Sequence, residues 1–101
     1  MIMFIIRMKV LSEKHIELLQ TIASLSSSTR MEKGCQCWDF FQSTEDENRL
    51  FLLEEWDTHE YLMKHLKSEH FRVFRGAMNL LSEPYERMFH TVFHLQGMEE
   101  I

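Results

Sequence analysis

The chain has 101 residues, and its 16 Asp and Glu against 11 Lys and Arg give a formal net charge of −5. This acidity argues against nucleic acid and anionic membranes as partners, because both attract basic surfaces. The hydrophobic fraction of 45%, with only three glycines and one proline, excludes disordered and low-complexity chains. We therefore expect a single domain over residues 1–101, with a folded core over residues 1–95 and a polar tail over residues 96–101.

The cysteines and the apolar segments bear on the compartment. Cys35 and Cys37 are too close in sequence to favour a disulfide between them, and free thiols are typical of a reducing cytoplasm. The apolar start Met1–Ile6 is too short for a secretory signal, and the basic residues follow it. No apolar run approaches the ~20 residues that span a bilayer. These features predict a soluble cytoplasmic protein.

The first half of the chain alternates strand and helix patterns. Met1–Val10 is rich in β-branched and aromatic residues, which predicts a strand. Ser12 is a suitable N-cap for a helix from Glu13 to about Ser26, because apolar residues recur there at helical spacing. The predicted apolar positions of this helix are Ile16, Leu19, Ile22 and Ala23. Two further predicted strands, Cys35–Gln42 and Arg49–Trp56, are joined by a short polar turn, which is typical of a hairpin.

The second half predicts a bent helical segment and a last strand. Asp57 or Thr58 caps a short helix, and Ser68 caps a second helix that ends at Pro84. The apolar positions of the second helix are Phe71, Phe74, Met78 and Leu81. Tyr85–Leu95 is the last predicted strand. The order β-α-β-β-α-β predicts an α+β, ferredoxin-like split fold, in which helices cover one face of an antiparallel four-stranded sheet.

Apolar residues occur on both faces of the predicted sheet. In the first strand Phe4 and Ile6 oppose Ile5, and in the third strand Leu52 opposes Leu53. Helices on one side cover only one of these faces, and large bare apolar patches are rare on monomers. We therefore expect a homodimer, in which a second copy covers the free sheet face about a two-fold axis.

Four segments carry a resemblance to a known family. They are Gly34-Cys35-Gln36-Cys37-Trp38, Leu53-Glu54-Glu55-Trp56, Asp57-Thr58-His59-Glu60-Tyr61-Leu62 and His65-Leu66-Lys67-Ser68-Glu69-His70-Phe71. In this order, the stretch Gly34–Pro84 resembles the antibiotic biosynthesis monooxygenase family. The resemblance implies a dimeric α+β barrel with an apolar pocket between the sheet and the helices of each subunit. It does not fix one activity, because members include cofactor-free oxygenases of polyphenols and quinols, heme-degrading enzymes, small-signal modifiers and proteins without known activity.

The heme-degrading branch can be compared residue by residue. Those members use an Asn on the first strand, a Trp in the helix after the third strand and a heme-ligating His. The first strand here has no Asn, and the other two positions fall on His65 and Arg75. The comparison disfavours heme degradation of that type. An atypical heme-binding member, with a ligand such as His70, is a lesser alternative.

A cofactor-free oxygenase needs a base, a dry cavity and a fixed substrate. His titrates nearest neutrality, so His65 and His70, which bracket the predicted bend between the helices, are the candidate catalytic residues. The candidate substrate-binding residues are the flat aromatic side chains of Trp38, Trp56, Phe71 and Phe74, and Arg7, whose charge suits a developing anion. Each aromatic residue also has a structural interpretation as core. Glu54 is a carboxylate on an apolar strand, and we expect it to pair with an arginine such as Arg7, Arg49 or Arg87.

No cofactor motif is recognisable. His90 and His94 would be ~13 Å apart along a strand, which is too far for one metal ion. There is no Gly-rich phosphate-binding loop. We predict no metal and no cofactor. The favoured function is a cofactor-independent monooxygenase that uses dioxygen on an aromatic quinol-like or polyketide-like small molecule. The alternative is a non-catalytic small-ligand-binding or stress-response dimer.

Overall fold

The computed structural model describes residues 1–93. The elements are β1 (Ile2–Lys9), a 3₁₀ turn (Ser12–Lys14), α1 (His15–Arg30), β2 (Cys35–Gln42), β3 (Arg49–Trp56), α2 (His59–Leu66), α3 (Glu69–Gly76), a second 3₁₀ turn (Ala77–Leu80) and β4 (Glu86–Thr91). The predicted α+β ferredoxin-like order is confirmed. The predicted end of the last strand at Leu95 and the predicted polar tail at 96–101 lie outside the described residues.

The four strands form one antiparallel sheet in the order β2-β3-β1-β4. The central strand β1 places Phe4 opposite Glu54 of β3 on one side and Phe89 of β4 on the other. On the next strand out, Trp38 of β2 is also opposite Glu54. A carboxylate therefore lies in the middle of an otherwise apolar sheet face.

Helix α1 is longer than its sequence pattern predicts. It continues to Arg30 rather than ending near Ser26. Within the serine-rich stretch, hydroxyls donate to preceding carbonyls, as in Ser24 to Thr21 and Ser26 to Ala23. The predicted apolar face is also wrong in part, since Ile16 and Ala23 are exposed. The buried positions are Leu18, Ile22, Leu25 and Thr29, which recur every three or four residues.

Helices α2 and α3 are each capped at the start, at residues that the sequence predicted. The side chains of Thr58 and Ser68 each accept a hydrogen bond from the backbone N–H three residues later. The second of these helices ends well before Pro84, because the chain tightens into a 3₁₀ turn after Gly76. Leu81 then pairs with Val10 in an isolated β-bridge, so it is not part of a helical stripe.

The core lies between the helices and one face of the sheet. Its largest fully buried side chains include Phe4, Ile6, Leu18, Ile22, Leu50, Leu52, Trp56 and Leu62. The opposite sheet face carries the half-buried Met3, Ile5, Phe51, Leu53 and Met88, and no helix of residues 1–93 packs over it. The sheet is thus apolar on both faces, and the homodimer stays a prediction. Within the same residues, every helix is too short or too polar to cross a membrane.

Candidate functional site

A cavity of about 430 Å³ opens where the last turn of α2, the start of α3 and the loop after α1 meet. Its lining residues are Glu32, Lys33, Tyr61, Lys64, His65, Lys67, Ser68 and His70. The fold therefore brings His65 and His70, which the sequence selected as candidate catalytic residues, to one cavity. The bend capped by Ser68 positions them, because His65 precedes the bend and His70 follows it.

The His65 ring is buried and contacts a carboxylate through each of its nitrogens. Nδ1 lies 3.1 Å from both carboxylate oxygens of Glu32. Nε2 lies 3.3 Å from Oε1 of Glu54, on the side of the ring away from the cavity. The ring stacks on Trp56 at 4.5 Å between centroids, and Phe71 meets it edge-on at 5.4 Å. Both ring nitrogens of His65 thus lie next to carboxylates, and the ring packs against two aromatic side chains.

The two carboxylates favour a charged ring. Burial acts to lower the pKa of His65, but the adjacent Glu54 and Glu32 carboxylates outweigh burial and raise the pKa above its ordinary value of 6.5. The imidazolium form of His65 is therefore favoured more than in a free histidine. An ion pair this deep holds its geometry well, because separating the partners would leave a buried charge unpaired.

Glu54 is only 1% exposed and belongs to the helix-facing side of β3. Its Oε1 accepts a hydrogen bond from Nε1 of Trp56 at 2.8 Å, and its Oε2 has no hydrogen-bond partner in residues 1–93. The expected arginine partner was wrong. Strand alternation directs Arg7 and Arg49 to the opposite face of the sheet, and Arg87 on β4 pairs with Ile6 and lies 5.7 Å from the ring centroid of Tyr85. The groups next to this carboxylate are instead the Trp56 indole, which donates to it, and the His65 ring, whose Nε2 lies 3.3 Å away without a hydrogen bond.

His70 is the more accessible histidine of the pair. Its side chain is 41% exposed, and its Nδ1 lies 3.6 Å from Oε2 of Glu32. Glu32 therefore lies between the two histidines and contacts Nδ1 of each. Within the described part of the chain, Nε2 of His70 has no partner. Glu32 was missed by sequence reasoning, because it precedes His65 by 33 residues and no local pattern connects them.

The aromatic residues predicted to bind substrate lie in the core and not on this cavity. Trp38, Trp56, Phe71 and Phe74 are all at most 4% exposed. Trp56 and Phe71 contact the His65 ring from the core and do not line the cavity. The aromatic residue on the cavity wall is Tyr61, which the sequence pattern did not single out.

Arg7 is not brought to the site. It is exposed on the opposite face of the sheet from His65, with its guanidinium 5.7 Å from the ring centroid of Phe51. The predicted role in holding an anion has no geometric support at this position. Strand alternation in β1 explains why Arg7 lies on the far face, since Phe4 and Ile6 take the helix-facing positions. The cations that line the cavity are lysines instead.

Two other cavities occur in the described residues. One of about 320 Å³ lies on the other side of α2 and is lined by Ile2, His59, Leu62, Met63, Phe89, His90 and Thr91. The other, of about 280 Å³, runs along the start of β2, and its lining residues include Cys35 and Cys37.

Burial and nearby carboxylates raise the pKa of Cys35 to about 11, and burial and Asp39 raise the pKa of Cys37 to about 12. These thiols are therefore protonated near neutral pH and are poor nucleophiles.

The model of the antibiotic biosynthesis monooxygenase family matches residues 1–77. The chain belongs to this family. Solved structures with the family fold include a conserved protein from Methanosarcina mazei Go1, at 29% identity and a TM-score of 0.84 over 88% of this chain and 89% of that one. Rv0793 from Mycobacterium tuberculosis has 22% identity and a TM-score of 0.87 over 94% of this chain and 97% of that one. No curated protein matches the sequence.

Family membership agrees with the resemblance seen in the sequence. It supports a monooxygenase-like function in general terms and leaves the substrate to be argued from the site. Among residues 1–93, no three His, Cys, Asp or Glu side chains are arranged to hold a metal ion. The cavity of about 430 Å³, which we call the Glu32 cavity, is where the described residues bring both candidate histidines together.

Proposed function

We propose that this family member is a cofactor-independent monooxygenase of an aromatic, quinol-like or polyketide-like small molecule, with His70 as the base. The observation that carries the proposal is the continuous chain of Glu54, His65, Glu32 and His70, which runs from the buried sheet to the cavity. A histidine whose Nδ1 faces a carboxylate and whose Nε2 is free is the arrangement that general-base chemistry uses.

In the proposed reaction, Nε2 of His70 accepts the proton of a phenolic hydroxyl, and Glu32 stabilises the resulting imidazolium. The electron-rich phenolate reduces dioxygen by one electron, and the two radicals combine to form a carbon–oxygen bond. The peroxide anion takes the proton back from His70, and the resulting hydroperoxide loses water and leaves a quinone carbonyl. One oxygen atom of dioxygen stays in the product and the other leaves as water, while the substrate gives up two hydrogens.

His65 takes a different role from His70 in this proposal. Both of its ring nitrogens already face carboxylates, so neither is free to accept a substrate proton. We assign it as a positioning residue, whose positive charge holds Glu32 in place beside His70. This division of roles follows from exposure, because the His65 side chain is buried and the His70 side chain is 41% exposed at the cavity.

Oxygen uptake by chelator-treated protein tests the proposal, with hydroquinone and anthrone as model substrates. His70→Gln is expected to lower kcat by about 100-fold or more, the usual contribution of a general base. The matched control is His59→Gln, which removes an exposed histidine on the other side of α2. If neither model substrate is consumed, or if both variants act alike, the assignment as an oxygenase with this base is wrong.

The non-catalytic alternative has one observation in its favour. The 320 Å³ cavity beyond α2 is mostly apolar, with Ile2, Leu62, Met63 and Phe89 among its lining residues, and it could hold a hydrophobic ligand without chemistry. Tight binding of such a ligand, with His70→Gln and His59→Gln both silent in oxygen uptake, would favour this alternative.

We also propose that the free sheet face forms a homodimer, as the two-sided apolar pattern suggests. Leu53 and Ile5 are adjacent across β3 and β1 on this face and are only half-buried in one chain. Sedimentation equilibrium is expected to give a dimer, and Leu53→Lys is expected to weaken it. A wild-type monomer at all concentrations would contradict the proposal.

A further inference from the structure

The Glu32 cavity concentrates positive charge in an acidic protein. Lys33, Lys64 and Lys67, three of the chain's five lysines, line it. The whole chain carries a net charge of −5, so a random surface patch is expected to be negative. A local reversal of sign in a concave site raises the local concentration of ligands of the opposite charge.

These three lysines differ from the other two in their partners. Lys9 lies 3.7 Å from Asp46, and Lys14 lies 3.5 Å from Glu17. Among residues 1–93, no carboxylate lies within ion-pair distance of the three cavity lysines, and Lys33 instead lies 5.9 Å from the ring centroid of Tyr61. The cavity lysines are therefore available to a ligand.

The acidic groups at the cavity do not cancel this charge. Glu32 lies 3.1 Å from Nδ1 of His65, and Glu54 lies behind the ring and is buried. The two carboxylates carry two negative charges against three lysines, and protonation of His65 between them lowers this to one. The helix ends add little, because the carboxyl end of α2 and the amino end of α3 both border the cavity with opposite partial charges.

We propose that the substrate of this site is an aromatic anion, a hydroxylated aromatic carboxylate, whose carboxylate contacts the cavity lysines while its phenolic hydroxyl faces His70. This inference rests on the proposed function and narrows its substrate class. A cavity of about 430 Å³ is in the range of small-ligand sites, and Tyr61 offers a flat wall for one ring.

Binding under nitrogen tests the substrate class without requiring turnover. Calorimetry compares 2,5-dihydroxybenzoate with its methyl ester, which has the same ring and hydroxyls but no charge. At low salt the acid is expected to bind about tenfold more tightly than the ester, because a charge pair at ~4 Å contributes about fivefold even in water. The difference is expected to shrink as salt is added.

Two double variants separate the site from overall charge. Lys64→Gln with Lys67→Gln is expected to abolish the preference for the acid, whereas Lys9→Gln with Lys14→Gln removes the same charge elsewhere and is expected to preserve it. Equal affinity for acid and ester in the wild type, or equal loss in both double variants, would overturn the inference. The inference would also be overturned if Lys64→Gln with Lys67→Gln lowered the melting temperature but kept the preference for the acid. These lysines would then only stabilise the end of α2.

Admitting air separates this inference from the proposed function. If the acid binds with the expected preference but no oxygen is consumed, the anion site stands and the oxygenase assignment fails. If hydroquinone and the ester are bound and oxidised as well as the acid, the oxygenase assignment stands and the anion site fails.

Discussion

Replacing Glu54 by Ala is expected to destabilise the fold more than any exposed substitution. The change removes one carboxylate from the buried His65 ring and the acceptor of the Trp56 indole N–H. Breaking a buried pair by removing one partner costs about 3–5 kcal/mol. For a chain of this length each kcal/mol lowers Tm by about 4 °C or more, so a fall of about 12 °C or more is expected.

Two further substitutions identify the source of the loss. Glu54→Gln keeps the volume and an oxygen that accepts from Trp56, and it removes only the charge, so a smaller cost of about 1–3 kcal/mol is expected. Glu55→Gln is the matched control, because the next residue of β3 points to the other face of the sheet. Chemical denaturation measures all three. If Glu54→Ala costs no more than Glu55→Gln, the carboxylate does not stabilise His65 as argued.

Three other substitutions or conditions test the same structure. Because the folded-state pKa of His65 is raised above 6.5, its stabilising contribution is complete below pH 6.5 and is lost as the pH rises through the folded-state pKa. Urea denaturation is expected to show this fall in the free energy of unfolding with pH in His59→Gln but not in His65→Gln. An equal dependence on pH in both variants would contradict the prediction. Gly34→Ala is expected to lower Tm markedly, since Gly34 has a φ of 88° and a Cβ there would overlap the side chain of Tyr61 on α2. An unchanged Tm would contradict this close packing. Cys35 and Cys37 are expected to react slowly with iodoacetamide in the folded protein near neutral pH and quickly after denaturation, whereas equal rates would refute their raised pKa values.

The fold was predictable because its signals are local. The β-branched and aromatic content of the strands, the polar hairpin turn and the caps at Thr58 and Ser68 each depend on residues that are near one another in sequence. The length of α1 was not predictable in this way, because its last turn is also held from outside the helix. Arg30 donates from Nε to the carbonyl of Trp38 at 3.0 Å and lies 3.5 Å from Asp39 on β2.

The candidate site was predictable only in part. His65 and His70 follow from residue type and from the bend between them. Glu32 and Glu54 reach His65 from a loop and a strand that are distant in sequence, so their contacts depend on tertiary packing. The substrate-binding role predicted for Arg7 has no geometric support, because a one-residue difference in strand position decides which sheet face a side chain occupies.

The central claim is that His65 is a charged ring fixed between two carboxylates. Nitrogen-15 NMR of the imidazole ring tests it most directly, because the chemical shifts report whether each ring nitrogen carries a proton. At pH 6.5 the account predicts that most His65 rings carry a proton on both nitrogens, and that Glu54→Gln lowers the pH at which one proton is lost. A neutral His65 ring with a single N–H under these conditions, unaffected by Glu54→Gln, would contradict it.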